Sequence, residues 1–285
     1  MDPTFLATLL ILASALIHAV FNTFLKSHPD RLIFWAMMGG TGALLAAPFA
    51  FLVPLPKPDV WFWVVLSVGV HVAYQLLLAT SYRYGDMSFA YPVARGMGPL
   101  LVAVIAPFAV GDALKSAEWI GILLICGGIA SLAFTSQQDK NPHQNIRAAL
   151  GFAILTGFSI AAYTTIDAIG IRAAENAFTF IIWLFILQGV VMGAGVALVR
   201  RQDFFQGLKA DWQKGVGVSL LTLIGYTLAL LAFRLGGLAE IAALRETSIV
   251  FAALLGAVFL KESLHRDKLI AIVIIAIGAV TVKII

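Results

Sequence analysis

Two stretches decide the reading of this chain: Tyr82 to Leu114, "YRYGDMSFAYPVARGMGPLLVAVIAPFAVGDAL", and Phe233 to Leu264, "FRLGGLAEIAALRETSIVFAALLGAVFLKESL". Tyr82, Arg83 and Gly85 fall on Phe233, Arg234 and Gly236. After a slip of one residue, Arg95 falls on Arg245, Asp112 on Glu262 and Leu114 on Leu264. The next apolar run keeps that register, with Gly128 on Gly278. Working outward, "SALIHAVFNTFLK" can be laid on "LTGFSIAAYTTID", which sets His18 against Ser159 and Asn22 against Tyr163. Apolar helices resemble one another by composition, so each match alone is weak. The ordered series is what argues for two copies of one unit.

Composition states the solvent. The 285 residues are 61% hydrophobic and 12% charged, with a mean hydropathy of +0.95, whereas soluble domains carry about 25% charged residues. An apolar run of about 20 residues crosses the hydrocarbon as a helix, because each backbone polar group must be satisfied inside the segment. Ten such spans are expected, near 5–25, 32–53, 60–82, 89–110, 118–135, 148–169, 177–199, 215–233, 238–260 and 269–285. The opening "MDPTFLATLL" lacks a basic n-region and a small-residue cleavage site, so the first run is expected to stay as a helix. The connecting segments, among them "RRQDFFQGLKADWQK", are expected to be loops too short for a soluble domain. The organisation expected is one integral membrane domain: a five-helix repeat over 1–137, a cytoplasmic linker at 138–146 and a second repeat over 147–285. Cys126 is alone, which excludes an intrachain disulfide, and no metal cluster or cofactor motif is present.

The pI of about 9.3 reports orientation rather than a nucleic-acid partner. Segments after the odd-numbered spans hold 12 Lys and Arg, the other face holds 5, and Arg95 and Arg245 lie inside spans. By the positive-inside rule the first face is cytoplasmic, which puts both termini on the periplasmic side of a bacterial inner membrane. A unit of five spans ends on the face opposite to its start, so the second copy must run upside down. Inverted repeats are a transporter architecture, with the substrate near the midplane between the halves.

The five-plus-five plan, the "RYG/RLG" turns and the "GDAL" and "KESL" turns before a glycine-bearing last helix resemble the EamA-type branch of the drug/metabolite transporter superfamily. Within it the chain looks closest to YddG-type bacterial exporters of aromatic and other amino acids. The resemblance implies an all-α membrane protein, two inverted five-helix repeats around a central cavity, and export of a small molecule.

Ionisable groups inside spans are costly and normally face a bundle interior or a wet cavity. Helix 1 offers His18 and Asn22 one turn apart, and the third span draws a stripe through His71, Tyr74, Gln75 and Tyr82. Ser159 and Tyr163 follow in the sixth, with Asp167 a turn on, then Trp183 and Gln188 in the seventh and Tyr226 in the eighth. The ninth contains "LRETS", with Arg245, Glu246 and Ser248, and the fourth has Tyr91 and Arg95. The two arginines are expected to approach the midplane from opposite faces and to hold a substrate carboxylate in a bidentate fork, with tyrosines supplying aromatic surface. Arg95 stands open between a carboxylate ligand and a structural role, either as partner of Glu246 or Asp167 or as donor to carbonyls exposed at Gly96 to Pro99. His18 is the residue expected to couple protons, whereas His71 reads as a satisfied bonder between helices. Gly96, Gly98 and Pro99 are expected to hinge the fourth span, the alternative being close packing, and Trp35, Trp61, Trp63 and Trp119 to anchor at the interface.

The favoured function is secondary transport of amino acids, aromatic and other neutral ones, outward by alternating access. The chain is expected to act as a monomer in the bilayer, with no ATP-binding loop and no nucleic-acid partner. Alternatives are export of another metabolite or of a phosphorylated or nucleotide-linked solute and, in other classes, a non-transporting receptor or an intramembrane enzyme. The last lacks its chemistry, since "GFSIA" is no nucleophile elbow and neither His18 nor His71 sits in a zinc motif.

Overall fold

A computed structural model of the chain describes residues 2–27, 31–135, 145–259 and 265–284. Helices α1 (Pro3–Ser27), α2 (Arg31–Ala46), α3 (Pro58–Tyr84), α4 (Met87–Ala109) and α5 (Ser116–Thr135) make the first half. The second contains α6 (Ile146–Ala173), α7 (Ala177–Val199), α8 (Arg201–Leu235), α9 (Leu238–Arg245), α10 (Ser248–Phe259) and α11 (Arg266–Ile284). No strand occurs among the described residues. Nine stretches among them are long and apolar enough to cross a membrane, α9 and α10 together making one. The tenth expected span is α11, whose ends carry Arg266, Asp267, Lys268 and Lys283. Residues 138–144 of the linker and the "KESL" turn, with Glu262, fall outside the described residues, and the linker's last two, Asn145 and Ile146, cap and open α6.

Local chemistry sets the ends. Pro48 cannot continue the hydrogen-bond ladder of α2, and the chain passes into a 3-10 turn over Ala47–Leu52, short of the expected end at 53. Asn145 and Asn176 cap α6 and α7, their side chains accepting from Ala148 N at 3.1 Å and Phe178 N at 2.9 Å. The expected loop at 200–214 is instead the start of α8, bent where Asp211 leaves helical geometry (φ −126°, ψ 21°). That segment folds because it is amphipathic: Phe204 is buried with Ala36 and Val196 while Gln202 and Gln206 face out.

The packing is two-fold. Matching α1 to α6, α2 to α7, α3 to α8, α4 to α9 plus α10 and α5 to α11 maps the contacts onto themselves: α1 lies on α8 as α3 lies on α6, and α2–α7 and α5–α11 are self-paired. The axis therefore passes through those two crossings. Since each unit ends on the face opposite to its start, the axis lies in the membrane plane.

Both crossings are built on glycine. Gly39 and Gly189, equivalent by the same offset as Arg95 and Arg245, meet at the α2–α7 crossing. Gly121 meets Gly278 between α5 and α11, and the axis repeats that contact as Ala271 against Gly128. A Cβ on Gly189 would stand 2.2 Å from the Gly39 carbonyl oxygen, which cannot yield without parting the helices. Gly189→Ala is therefore expected to cost about 1–3 kcal/mol, read as a lower unfolding temperature in detergent. Gly195→Ala, where a Cβ meets nothing within 4 Å, should leave that temperature unchanged.

Candidate functional site

Between the halves lies a cavity walled by α1–α4 and α6–α9, with about 130 Å³ in which the centre of a water-sized molecule fits. One water needs about 10–15 Å³ on that measure, so the space holds several waters or one small solute. It is lined by His18 of α1, His71, Tyr74, Gln75 and Tyr82 of α3, Tyr91 and Arg95 of α4, and Tyr163 of α6. Gln188 of α7, Tyr226 of α8 and Arg245 of α9 complete the polar set expected from sequence. Ser14, Phe21, Trp35, Met38, Phe185 and Thr222 also line it. Trp35 is 5% exposed, a cavity wall rather than an interfacial anchor.

Four of the expected residues lie elsewhere. Ser159 donates to the Leu155 carbonyl at 3.0 Å on the far side of α6. The Trp183 ring packs edge-on against Trp61 at 5.1 Å, with its indole nitrogen unpartnered among the described residues. Glu246 and Ser248 are buried behind the cavity, where they meet Arg95. The side chain of Asn22 is outside the described residues.

The arginines, equivalent in sequence, are unequal in space. Arg95 Nε lies 2.9 Å from Glu246 Oε2, and its Nη2 donates to Ser248 Oγ at 3.3 Å. Both members of the pair are buried, at 3% and 2% exposure. Arg245 has no ion-pair or hydrogen-bond partner among the described residues, and its Nε is buried without an acceptor. Its guanidinium lies over the Tyr226 ring, 5.0 Å from the centroid.

A break in the ninth span produces the difference. α9 ends at Arg245, a turn covers Glu246 and Thr247, and α10 begins at Ser248. Thr247 N and Oγ1 both return to the Leu244 carbonyl, at 3.1 and 2.8 Å. A cation thus stands at a helix C-terminus and an anion just before a helix N-terminus, each at the dipole end that favours it. The fourth span, where a hinge is expected at Gly96, Gly98 and Pro99, is one continuous helix through Pro92, Pro99 and Pro107. The α4 glycines serve packing. A Cβ on Gly98 would stand 2.6 Å from Ile160 Cγ2, and on the facing helix one on Gly157 would stand 2.7 Å from Met97 Cβ.

Beside the aromatic wall, where His71 stacks on Tyr163 at 4.2 Å and Tyr163 meets Tyr74 edge-on at 5.4 Å, a second polar group is buried. Asp167, wholly inaccessible, accepts from the Ser67 and Tyr226 hydroxyls. His18 has no such carboxylate; the charges facing it are those of Arg95 and Arg245.

The lining residues lie toward the last turns of α1 and α3 and the first turns of α2 and α4, so the cavity extends to the face rich in Lys and Arg. The opposite face is tied shut. Asp112 Oδ2 accepts from Arg172 Nη2 at 3.1 Å and from Leu238 N at 2.7 Å, and Arg172 reaches the Phe233 and Gly236 carbonyls at 3.0 and 2.7 Å. Arg234 donates to the Ile171 and Ala174 carbonyls at 3.0 and 2.9 Å, and Lys283 to Glu240 at 2.8 Å. A hydrogen bond to Glu175 holds the Lys57 ammonium above the usual lysine range.

An all-helical bundle of two repeated halves around a polar-lined cavity is the architecture of a membrane transporter. The pattern of the EamA-like transporter family matches residues 5–134 and 147–284, and the chain belongs to that family. Its members move small solutes across membranes. The fold is similar to that of a protein of known crystal structure, with a TM-score of 0.79 and 17% identity over 98% of each chain. No curated protein matches the sequence.

Proposed function

We propose that this protein exports amino acids, aromatic and other neutral ones, from the bacterial cytoplasm by alternating access. The observation that carries the reading is Arg245, a buried guanidinium without an acidic partner among the described residues, facing a cavity walled by Tyr74, Tyr91, Tyr163, Tyr226 and Phe185. A charge left unpaired at this depth is costly, and a substrate carboxylate would satisfy it through two parallel hydrogen bonds. Aromatic faces suit an apolar or aromatic side chain beside an ammonium group. The pairing of Arg95 with Glu246 leaves one cation for the substrate, which favours a carboxylate over a phosphorylated or nucleotide-linked solute. With the basic face cytoplasmic, the cavity is open inward and the Asp112–Arg172 network closes the periplasmic side.

The test is counterflow of labelled amino acids in liposomes containing the purified protein. Saturable exchange is expected for at least one aromatic or neutral amino acid, and its absence for all of them would sink the reading. The decarboxylated amine of the best substrate should compete about tenfold or more weakly than the amino acid, because it cannot engage Arg245. Equal competition would show that the carboxylate is not what the cavity grips.

A further inference from the structure

The cluster behind Tyr226 is one proton short. His71 Nδ1 lies 3.0 Å from the Ser67 carbonyl oxygen, an acceptor only, so the ring's first proton sits on Nδ1. Nε2 of the neutral ring then carries a bare lone pair, 3.2 Å from the Tyr226 hydroxyl oxygen and 3.9 Å from Asp167 Oδ2. Tyr226 has one proton and donates it to Asp167. No proton therefore lies between Nε2 and the tyrosine oxygen. One added proton on Nε2 completes a chain in which His71 donates to Tyr226 and Tyr226 donates to Asp167, and it neutralises the cluster. Without it, the carboxylate of Asp167 keeps its charge among helices.

The surroundings place the cluster at the substrate. His71 and Tyr226 line the cavity, while Asp167 lies behind them. The charged and titratable groups around Asp167 are His71 from α3, Tyr226 from α8, Arg245 from α9 and Tyr163 from its own helix. α4 brings Arg95, balanced by Glu246, and α7 has no charged residue. Arg245 and His71 flank the same tyrosine, one over its ring and one at its hydroxyl. An amino acid has its ammonium and carboxylate on one carbon. With the carboxylate on Arg245, the ammonium can donate to the Nε2 lone pair, which is also where the extra proton binds.

We propose that His71, Asp167 and Tyr226 form a proton-binding site that the ammonium of an amino-acid substrate empties, making this protein an amino acid/proton antiporter. The inference rests on the carboxylate reading of Arg245. Substrate entering from one side displaces the proton into the cavity water; once the cavity faces the other side and the substrate leaves, a proton returns to Nε2, and the proton-loaded carrier turns back to release it when the next substrate binds. Buried Asp and His relays are how membrane transporters move protons, so the chemistry has the right materials.

The experiment uses liposomes containing the full chain and a trapped pH-sensitive dye, with net amino-acid efflux down its gradient and proton movement recorded together. One-for-one exchange of substrate moves no net proton, so counterflow is measured separately. Wild-type protein should move protons against net amino-acid flux in fixed proportion, while a 2-oxo acid, which has no ammonium, should leave the liposomes without moving them. Asp167→Asn should retain amino-acid counterflow at a reduced rate but move about tenfold fewer protons per substrate. His71→Gln, an amide that cannot titrate, should do the same and serves if the Asp167 variant does not fold. Net efflux by the wild type without proton movement overturns the antiport, and if counterflow is still seen the carboxylate reading stands. Normal proton movement in both variants, or with the 2-oxo acid, also overturns it. Absence of any counterflow removes the carboxylate reading and the antiport with it.

Discussion

Arg95→Ala is expected to lose the folded protein rather than only its transport. The substitution leaves Glu246, 2% exposed, as an uncompensated charge between helices. Breaking a buried pair from one side costs about 3–5 kcal/mol, whereas replacing both members with apolar residues of similar volume is often neutral. Arg95→Met combined with Glu246→Leu should therefore recover much of what either change loses alone. The measurement is the fraction of protein that elutes as a single species in mild detergent, with its unfolding temperature, for both single variants and the double. If Arg95→Ala is as stable as wild type, the pair does not hold α4 against the α9–α10 break and Arg95 returns as a substrate ligand.

What the sequence could and could not reveal divides along one line. Features repeated in both halves were legible: the repeat placed two arginines in equivalent spans and implied an axis in the membrane plane. Features that differ between the halves were not. Proline and glycine point to a hinge at Gly96, Gly98 and Pro99 in a helix that is continuous, while neither marks "LRETS", which divides the ninth span. A usable signal was present, since Thr247 and Ser248 are residue types that cap the start of a helix. Asp167 was legible as an intramembrane acid, but its partners Ser67 and Tyr226 come from other helices, and no periodicity brings α3, α6 and α8 together. Trp35 was misplaced for the same reason: an aromatic near the start of a span has the same local signature whether it faces lipid headgroups or, as here, a cavity. The helical start of α8 was hidden by charge, its short apolar stripe finding a partner only in α2 and α7.

Arg245→Ala should behave in the opposite way to Arg95→Ala. Arg245 makes no ion pair or hydrogen bond with a carboxylate among the described residues, and its charge reaches buried Asp167 and Glu246 only from a distance, so the unfolding temperature should shift far less than for Arg95→Ala. Transport should collapse. Hydrogen bonds to a charged group are worth about 1.5–3 kcal/mol, which is about ten- to a hundredfold in the substrate concentration that half-saturates counterflow. Arg245→Lys should recover part of that loss, because an ammonium keeps the charge but not the planar fork that engages two carboxylate oxygens. The pair of variants separates two causes of failure. A charge requirement alone predicts that lysine restores full transport, whereas bidentate recognition predicts an intermediate value and a narrower loss for substrates with bulky aromatic side chains, which the tyrosine wall still holds. If Arg245→Ala transports with wild-type affinity, the substrate carboxylate meets another group, and the asymmetry between the two arginines serves the fold rather than the passage of solute.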